Sequence, residues 1–149
     1  MTYATEFPDY DASSLPAIPA HWQDASWHND PCPFWLISQS MGVFIDYVDP
    51  AQKEFPDTPR FAVIRMVEGQ HSTDALPLLE TDDWAQVLEM AATSMDEDRA
   101  IEIITWVEEP ELLAELGQEA PYFSAPEIEA ARAICAALDR KTLGGLTFH

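Results

Sequence analysis

Positive charge is what this sequence has least of. Its 149 residues carry 7 Lys and Arg against 27 Asp and Glu, a formal net charge of -20. Nucleic acid and anionic membranes are held by Lys and Arg that neutralise phosphates, so direct binding of either is not expected. Long apolar runs are missing as well, and nothing approaches the roughly eighteen consecutive apolar residues of a membrane span. The amino terminus is acidic and contains Pro8, without the basic flank and apolar core of a secretion signal, so a cytoplasmic location is expected. Cysteine is scarce. Cys32 and Cys135 are too few for a disulfide framework and have no companions at zinc-ligand spacing. The five glycines are isolated apart from Gly144 and Gly145, which leaves no phosphate-cradling loop. Neither a cofactor nor a metal is expected.

What is there suffices for a core. The chain is 47% hydrophobic and 11% aromatic, and this much apolar surface offsets the entropy of ordering one domain of this length. Residues 1–20 carry Pro8, Pro16 and Pro19 among Asp and Ser, and read as an extended arm. Its Tyr3, Phe7, Tyr10, Leu15 and Ile18 can dock on the domain or on a neighbour. Residues 21–149 read as a single α+β domain.

From Trp35 short apolar runs alternate with turn residues, which signals antiparallel strands. Trp35–Ser38 and Val43–Val48 are separated by a hairpin loop over 39–42. In the second strand Val43, Ile45 and Tyr47 share the face expected to pack on helices. Arg60–Val67 reads as a third strand, with Arg65 placed to meet Asp46 across the sheet. The chain then turns at Gly69, and Ala75–Leu79 is an edge strand because it contains Pro77.

The second half reads as helices packed on this meander. Thr81 stands as an N-cap ahead of Asp82 and Asp83, and Trp84, Val87, Leu88, Ala91 and Met95 follow the spacing of one buried face. Ser94 with Glu97 has capping-box spacing, and helical period runs from Ala100 to Val107 until Pro110, although the β-rich run 101–107 also fits a strand. A short helix over Glu111–Leu116 stops at Gly117. Ser124 with Glu127 opens a last helix with Ile128, Ala131, Ile134, Cys135 and Leu138 on its buried side, Arg140 and Lys141 in its last turn, and Gly144-Gly145 at its end. The fold class is therefore α+β, three to four strands followed by three to four helices.

The densest polar cluster is Asp24, Ser26, Trp27, His28, Asn29, Asp30 and Cys32. A histidine, two carboxylates and a thiol supply a base, an orienting acid and a nucleophile, or metal ligands. Their spacing matches no nucleophile elbow, zinc helix or calcium loop, and the bland reading is a loop that satisfies its own backbone while Trp27 anchors it in the core. Trp22 and Trp27 precede the regular structure and are the tryptophans suited to a binding surface. Asp82 and Asp83 read as dipole-favoured acids of a helix start, and Cys135 as a small buried hydrophobe.

From Glu80 to Glu129 the one basic residue is Arg99, while Glu108, Glu109 and Glu111 crowd a single turn. That half presents a negative field. The residues favour a non-enzymatic binding or accessory protein docking on a basic protein partner, an inhibitor or nucleic-acid mimic among its forms. The alternative is a small enzyme or metal-dependent domain built on Asp24, His28, Asp30 and Cys32.

Overall fold

The computed structural model describes residues 2–68, 70–71, 76–117 and 121–147, the side chains of residues 71 and 140–147 excepted. The fold is α+β. Antiparallel strands β1 (Gln23–Asp24), β2 (Phe34–Ser38), β3 (Met41–Ile45), β4 (Phe61–Val67) and β5 (Gln70–His71) follow one another across the sheet, and β6 (Leu79–Thr81) also pairs with β4. The helices are α1 (Tyr3–Glu6), α2 (Trp84–Ala92), α3 (Glu97–Glu108), α4 (Pro110–Glu115) and α5 (Ala125–Thr147). None of them, over the described residues, is long and apolar enough to cross a membrane. The chain divides into two compact units, Met1–Ser94 and Met95–His149.

The β2–β3 hairpin is tighter than the expected loop over 39–42, because Met41 and Gly42 belong to β3 and only Gln39 and Ser40 turn. Gly42 sits opposite Leu36, and the Phe34 ring lies over it: a Cβ there would stand 2.3 Å from Phe34 Cζ. Glycine is thus required by close approach. The third strand pairs as expected, with Val43 opposite Val63 and Ile45 opposite Phe61. That register sets Arg65 opposite Met41, so the expected meeting of Arg65 with Asp46 does not occur. Arg60 takes the place instead, its Nε donating to the Asp46 carbonyl at 3.1 Å. Of the expected strand at 75–79, Ala75 lies outside the described residues. Strand β6 starts two residues after Pro77, where every residue again has an N–H to pair.

Trp35, Ile37, Val43, Ile45, Phe61 and Val63 form the covered face, with Val87 and Ala91 of α2 packed on it. Val43, Ile45, Val63 and Val87 are wholly buried, each worth about 1.5–3 kcal/mol of apolar transfer. Residues 1–20 are not merely extended. Helix α1 is closed by a Thr2–Thr5 capping box, and Ala12–Ser14 form a 3-10 turn capped by Asp11. Tyr3, Leu15 and Ile18 pack against the covered face, while Phe7 and Tyr10 bury beside Cys32 and Tyr47. Polar contacts pin the segment. Arg60 Nη2 donates to the Ser14 carbonyl at 2.8 Å and to Tyr10 Oη at 3.2 Å. The Tyr10 hydroxyl donates to the Asp46 carbonyl at 3.1 Å, and the Tyr47 hydroxyl to Asp9 at 3.1 Å.

Helix starts differ from the sequence expectation in their caps. The cap of α2 is Asp83, whose carboxylate accepts from Ala85 N, while Thr81 ends β6. The cap of α3 is Asp96, which accepts from Arg99 N, whereas Ser94 Oγ donates back to Ala91. In both cases a carboxylate nearer the first turn outcompetes a hydroxyl, since it is the stronger acceptor for an N–H at the positive helix end. Residues 101–107 are helical, because Ala100, Ile103, Ile104 and Val107 bury together with Ala131, Ile134 and Cys135 of α5. Burial at helical period overrides the β-branched composition. Gly117, at φ +80°, follows α4 in the left-handed region that favours glycine. Helix α5 runs on through Gly144-Gly145 to Thr147, so Arg140 and Lys141 are not in its last turn. Glycine lowers helix propensity by about 1 kcal/mol without forbidding the conformation, unlike proline.

Gly42→Ala is expected to destabilise the first unit by about 1–3 kcal/mol in denaturant titration, since overpacking against Phe34 outweighs the smaller gain from replacing a strand glycine. Adding Phe34→Leu should shrink that penalty; an unchanged penalty in the double variant would show that the ring is not the obstacle.

Candidate functional site

The polar cluster before β2 is ordered by its backbone. Ser26, wholly buried, accepts from Phe34 N at 3.1 Å, and Ala25 N donates to the Phe34 carbonyl at 3.0 Å. Both carboxylate oxygens of Asp24 are occupied by main chain, Oδ2 accepting from Tyr3 N at 2.7 Å and Oδ1 from Ser26 N at 3.1 Å. His28 points to solvent, its side chain 63% exposed, and its Nδ1 lies 3.1 Å from Glu6 Oε1. That hydrogen bond holds the Glu6 carboxyl below its ordinary range. Cys32 is 2% exposed, packed with Phe7, Tyr10 and Tyr47. Burial pushes its thiol well up, and the charges of Asp46, Asp30 and Glu54 add to the effect, so the reactive thiolate is disfavoured. Asp30 N closes a turn onto the Trp27 carbonyl at 2.9 Å.

Asp24, His28 and Cys32 are therefore neighbours in sequence whose side chains serve different surroundings, namely main chain, the Glu6 carboxylate at the surface and an aromatic core, while Asp30 closes a turn through its backbone. Among the described residues no three His, Cys, Asp or Glu are grouped to hold a metal ion. Of the two tryptophans suited to a binding surface, Trp27 is exposed and Trp22 is not. Trp22 is 6% exposed and meets Trp84 edge-on at 5.6 Å, because the pairing of β1 with β2 directs it onto the covered face. Trp27 is 46% exposed and anchors nothing in the core; the buried anchor of this loop is Ser26.

A better-formed concavity lies in the second unit. The end of α3, the start of α4 and the chain entering α5 enclose an open groove of about 300 Å³, lined by Trp106, Val107, Pro110, Pro121, Tyr122, Phe123 and Ile128. Its floor is continuous with the core of that unit, since Val107, Phe123 and Ile128 also pack around Ile103 and Ala131. Its position is fixed by the Ser124–Glu127 capping box, in which Glu127 Oε1 accepts from Ser124 N at 3.0 Å and Ser124 Oγ at 2.9 Å, and Glu127 N donates to Ser124 Oγ at 3.3 Å. Tyr122, 46% exposed, contributes to the lining, and exposed Leu112 and Leu116 extend the apolar surface of α4.

Glu108 and Glu109 stand in the chain between two lining residues, Val107 and Pro110, and Glu111 follows; all three are exposed. Among the described residues of the second unit no cation stands within ion-pair distance of them, and Arg99 pairs with Glu102 at 3.0 Å. The groove escaped the sequence reading because its walls come from three separated stretches. The available signal was the aromatic pair Tyr122-Phe123 between Pro121 and a capping serine, outside any helical period. No family model, characterised protein or solved structure matches the chain.

His28→Ala should change stability by less than about 0.5 kcal/mol, as expected for an exposed side chain. Ser26→Ala should cost about 1–3 kcal/mol, because it strands the buried Phe34 N–H. Equal effects in chemical denaturation would contradict this division of labour. A second expectation concerns Glu127, where burial raises the carboxyl above its ordinary range against the opposing hydrogen bonds of Ser124 and the charge of Arg99. The folded unit then holds this proton to higher pH than the unfolded chain, so its contribution to stability is present in acid and is lost as pH rises through the folded pKa. Glu127→Gln keeps the capping geometry and should flatten the fall of melting temperature with rising pH above the ordinary carboxyl range. Parallel pH profiles for the two proteins would refute the assignment.

Proposed function

We propose that this chain is a non-enzymatic binding protein whose acidic second unit docks on a basic protein partner. The observation that carries the reading is the pairing of an apolar groove with Glu108, Glu109 and Glu111, none of whose carboxylates is held by a hydrogen bond or ion pair among the described residues. A desolvated apolar centre with a charged rim is the usual anatomy of a protein interface, in which the rim steers encounter and the centre supplies affinity. Imitation of a phosphate row is supported less. On α3 the exposed Asp98 and Glu102 stand about 6 Å apart in helix rise, but Glu102 is already paired with Arg99 and Glu109 lies beyond the helix end, so no regular row is formed. A catalytic role for the Asp24 to Cys32 segment also has less support, since Asp24, His28 and Cys32 face different surroundings. The free thiols Cys32 and Cys135 fit a reducing compartment such as the cytoplasm.

The test is a peptide-display selection against the chain, followed by association kinetics of the winning peptides. Lys- and Arg-bearing sequences should be enriched, and Glu108→Lys, Glu109→Lys and Glu111→Lys combined should slow association roughly tenfold at low salt. The same charge change at exposed Glu54, Asp57 and Glu89 should slow it much less. Equal slowing by the two triple variants would mean that only net charge acts, and the proposed surface would be abandoned.

A further inference from the structure

We infer that the groove between Trp106 and Tyr122 receives an extended, proline-containing segment of the partner, flanked by Lys or Arg. This inference rests on the acidic docking reading and specifies its ligand. Size comes first: about 300 Å³ is at the lower limit of ligand clefts, which span roughly 300–1,000 Å³, so the groove takes one or two side chains rather than a whole cofactor.

Chemistry narrows the choice further. The lining consists of indole, phenol and phenyl rings, proline rings and Ile128, and the flanking acids lie on its chain neighbours. An incoming strand would need an open row of backbone N–H and C=O groups, but the walls from α3, α4 and α5 are helical, and the one non-helical stretch, Pro121–Phe123, is three residues long and begins with a proline that has no N–H. A polyproline segment needs no such row. Its backbone stays solvated, its shape is formed before binding, and it docks through flat apolar contacts on aromatic rings. An amphipathic helix would ask for a longer trough able to take side chains at several successive turns.

Charge then selects the flanks. Glu108, Glu109 and Glu111 favour cations beside the apolar anchor, and a second copy of a chain of net charge -20 would be repelled. The chain's own proline-containing arm is engaged elsewhere: Pro19, Phe7 and Tyr10 are buried in the first unit.

Two synthetic peptides of equal length and charge test this, one alternating Pro and Leu between terminal Arg residues and the other with Ala in place of every Pro. Titration calorimetry is combined with NMR of the tryptophan indole N–H resonances, using the full chain. The proline peptide should bind at least tenfold more tightly, shift the Trp106 resonance, and lose about tenfold in affinity to Tyr122→Ala, an exposed site whose variant should keep its melting temperature. Equal binding of both peptides without response to Tyr122→Ala would overturn the groove, while leaving acidic docking standing if the triple Lys variant weakens both. Tighter binding of the Ala peptide, with helix induced in its circular dichroism, would overturn the proline assignment in favour of a basic helix. Binding that survives the triple Lys variant, or no binding of either peptide at low salt, would remove the acidic reading together with this one.

Discussion

The first unit depends on where Arg60 spends its charge. In a chain so short of cations, this guanidinium is turned inward to the Asp46 and Ser14 carbonyls and the Tyr10 hydroxyl, and it lies over the Phe61 ring. Hydrogen bonds from a charged donor contribute about 1.5–3 kcal/mol each, enough to offset the ordering of several arm residues. With Tyr10 fixed, Phe7 and Tyr10 close over Cys32 and Tyr47, and Leu15 and Ile18 complete the cover of the sheet. A surface ion pair would have contributed much less.

Much of this architecture was legible in the sequence because burial repeats. Val43, Ile45 and Val63 alternate, Val87 and Ala91 recur at helical period, and the Ser124–Glu127 spacing names a helix start that the structure contains. Register was harder to read. Placing Arg65 against Asp46 depended on the β3–β4 register, which the long connector between these strands leaves open, and the observed register puts the two residues at opposite ends of the pair. Gly42 looked like a turn residue because glycine marks turns; its actual role, making room for a ring from the neighbouring strand, has no local signature.

The site was less legible than the fold for a related reason. Sequence proximity suggested that Asp24, His28, Asp30 and Cys32 act together, but Asp24 is taken up by main-chain N–H groups, His28 by Glu6 at the surface and Cys32 by an aromatic cluster. Each found the surroundings its own position offered. Trp22 was misjudged similarly: like Trp27 it precedes the regular structure, yet β1 pairing carries it into the core while a turn leaves Trp27 outside. The groove required three distant stretches to meet, which only tertiary packing arranges.

The carboxylates of this chain fall into two physical groups. Asp11, Asp49, Asp83, Asp96 and Glu127 accept main-chain N–H groups at turns and helix starts, where the positive end of the peptide dipoles favours them. Those acids are explained by folding, because replacing any of them would leave an N–H to be satisfied another way. Glu111, in the first turn of α4, and Glu109, just before it, also stand at a helix start, whereas Glu108 ends α3, at the negative end of its dipole, where a carboxylate is disfavoured. Local stability would place Lys or Arg there. Glu108, kept at an unfavourable helix end beside an exposed aromatic groove, is thus a carboxylate that the fold itself does not require, and that is the physical ground of the docking proposal.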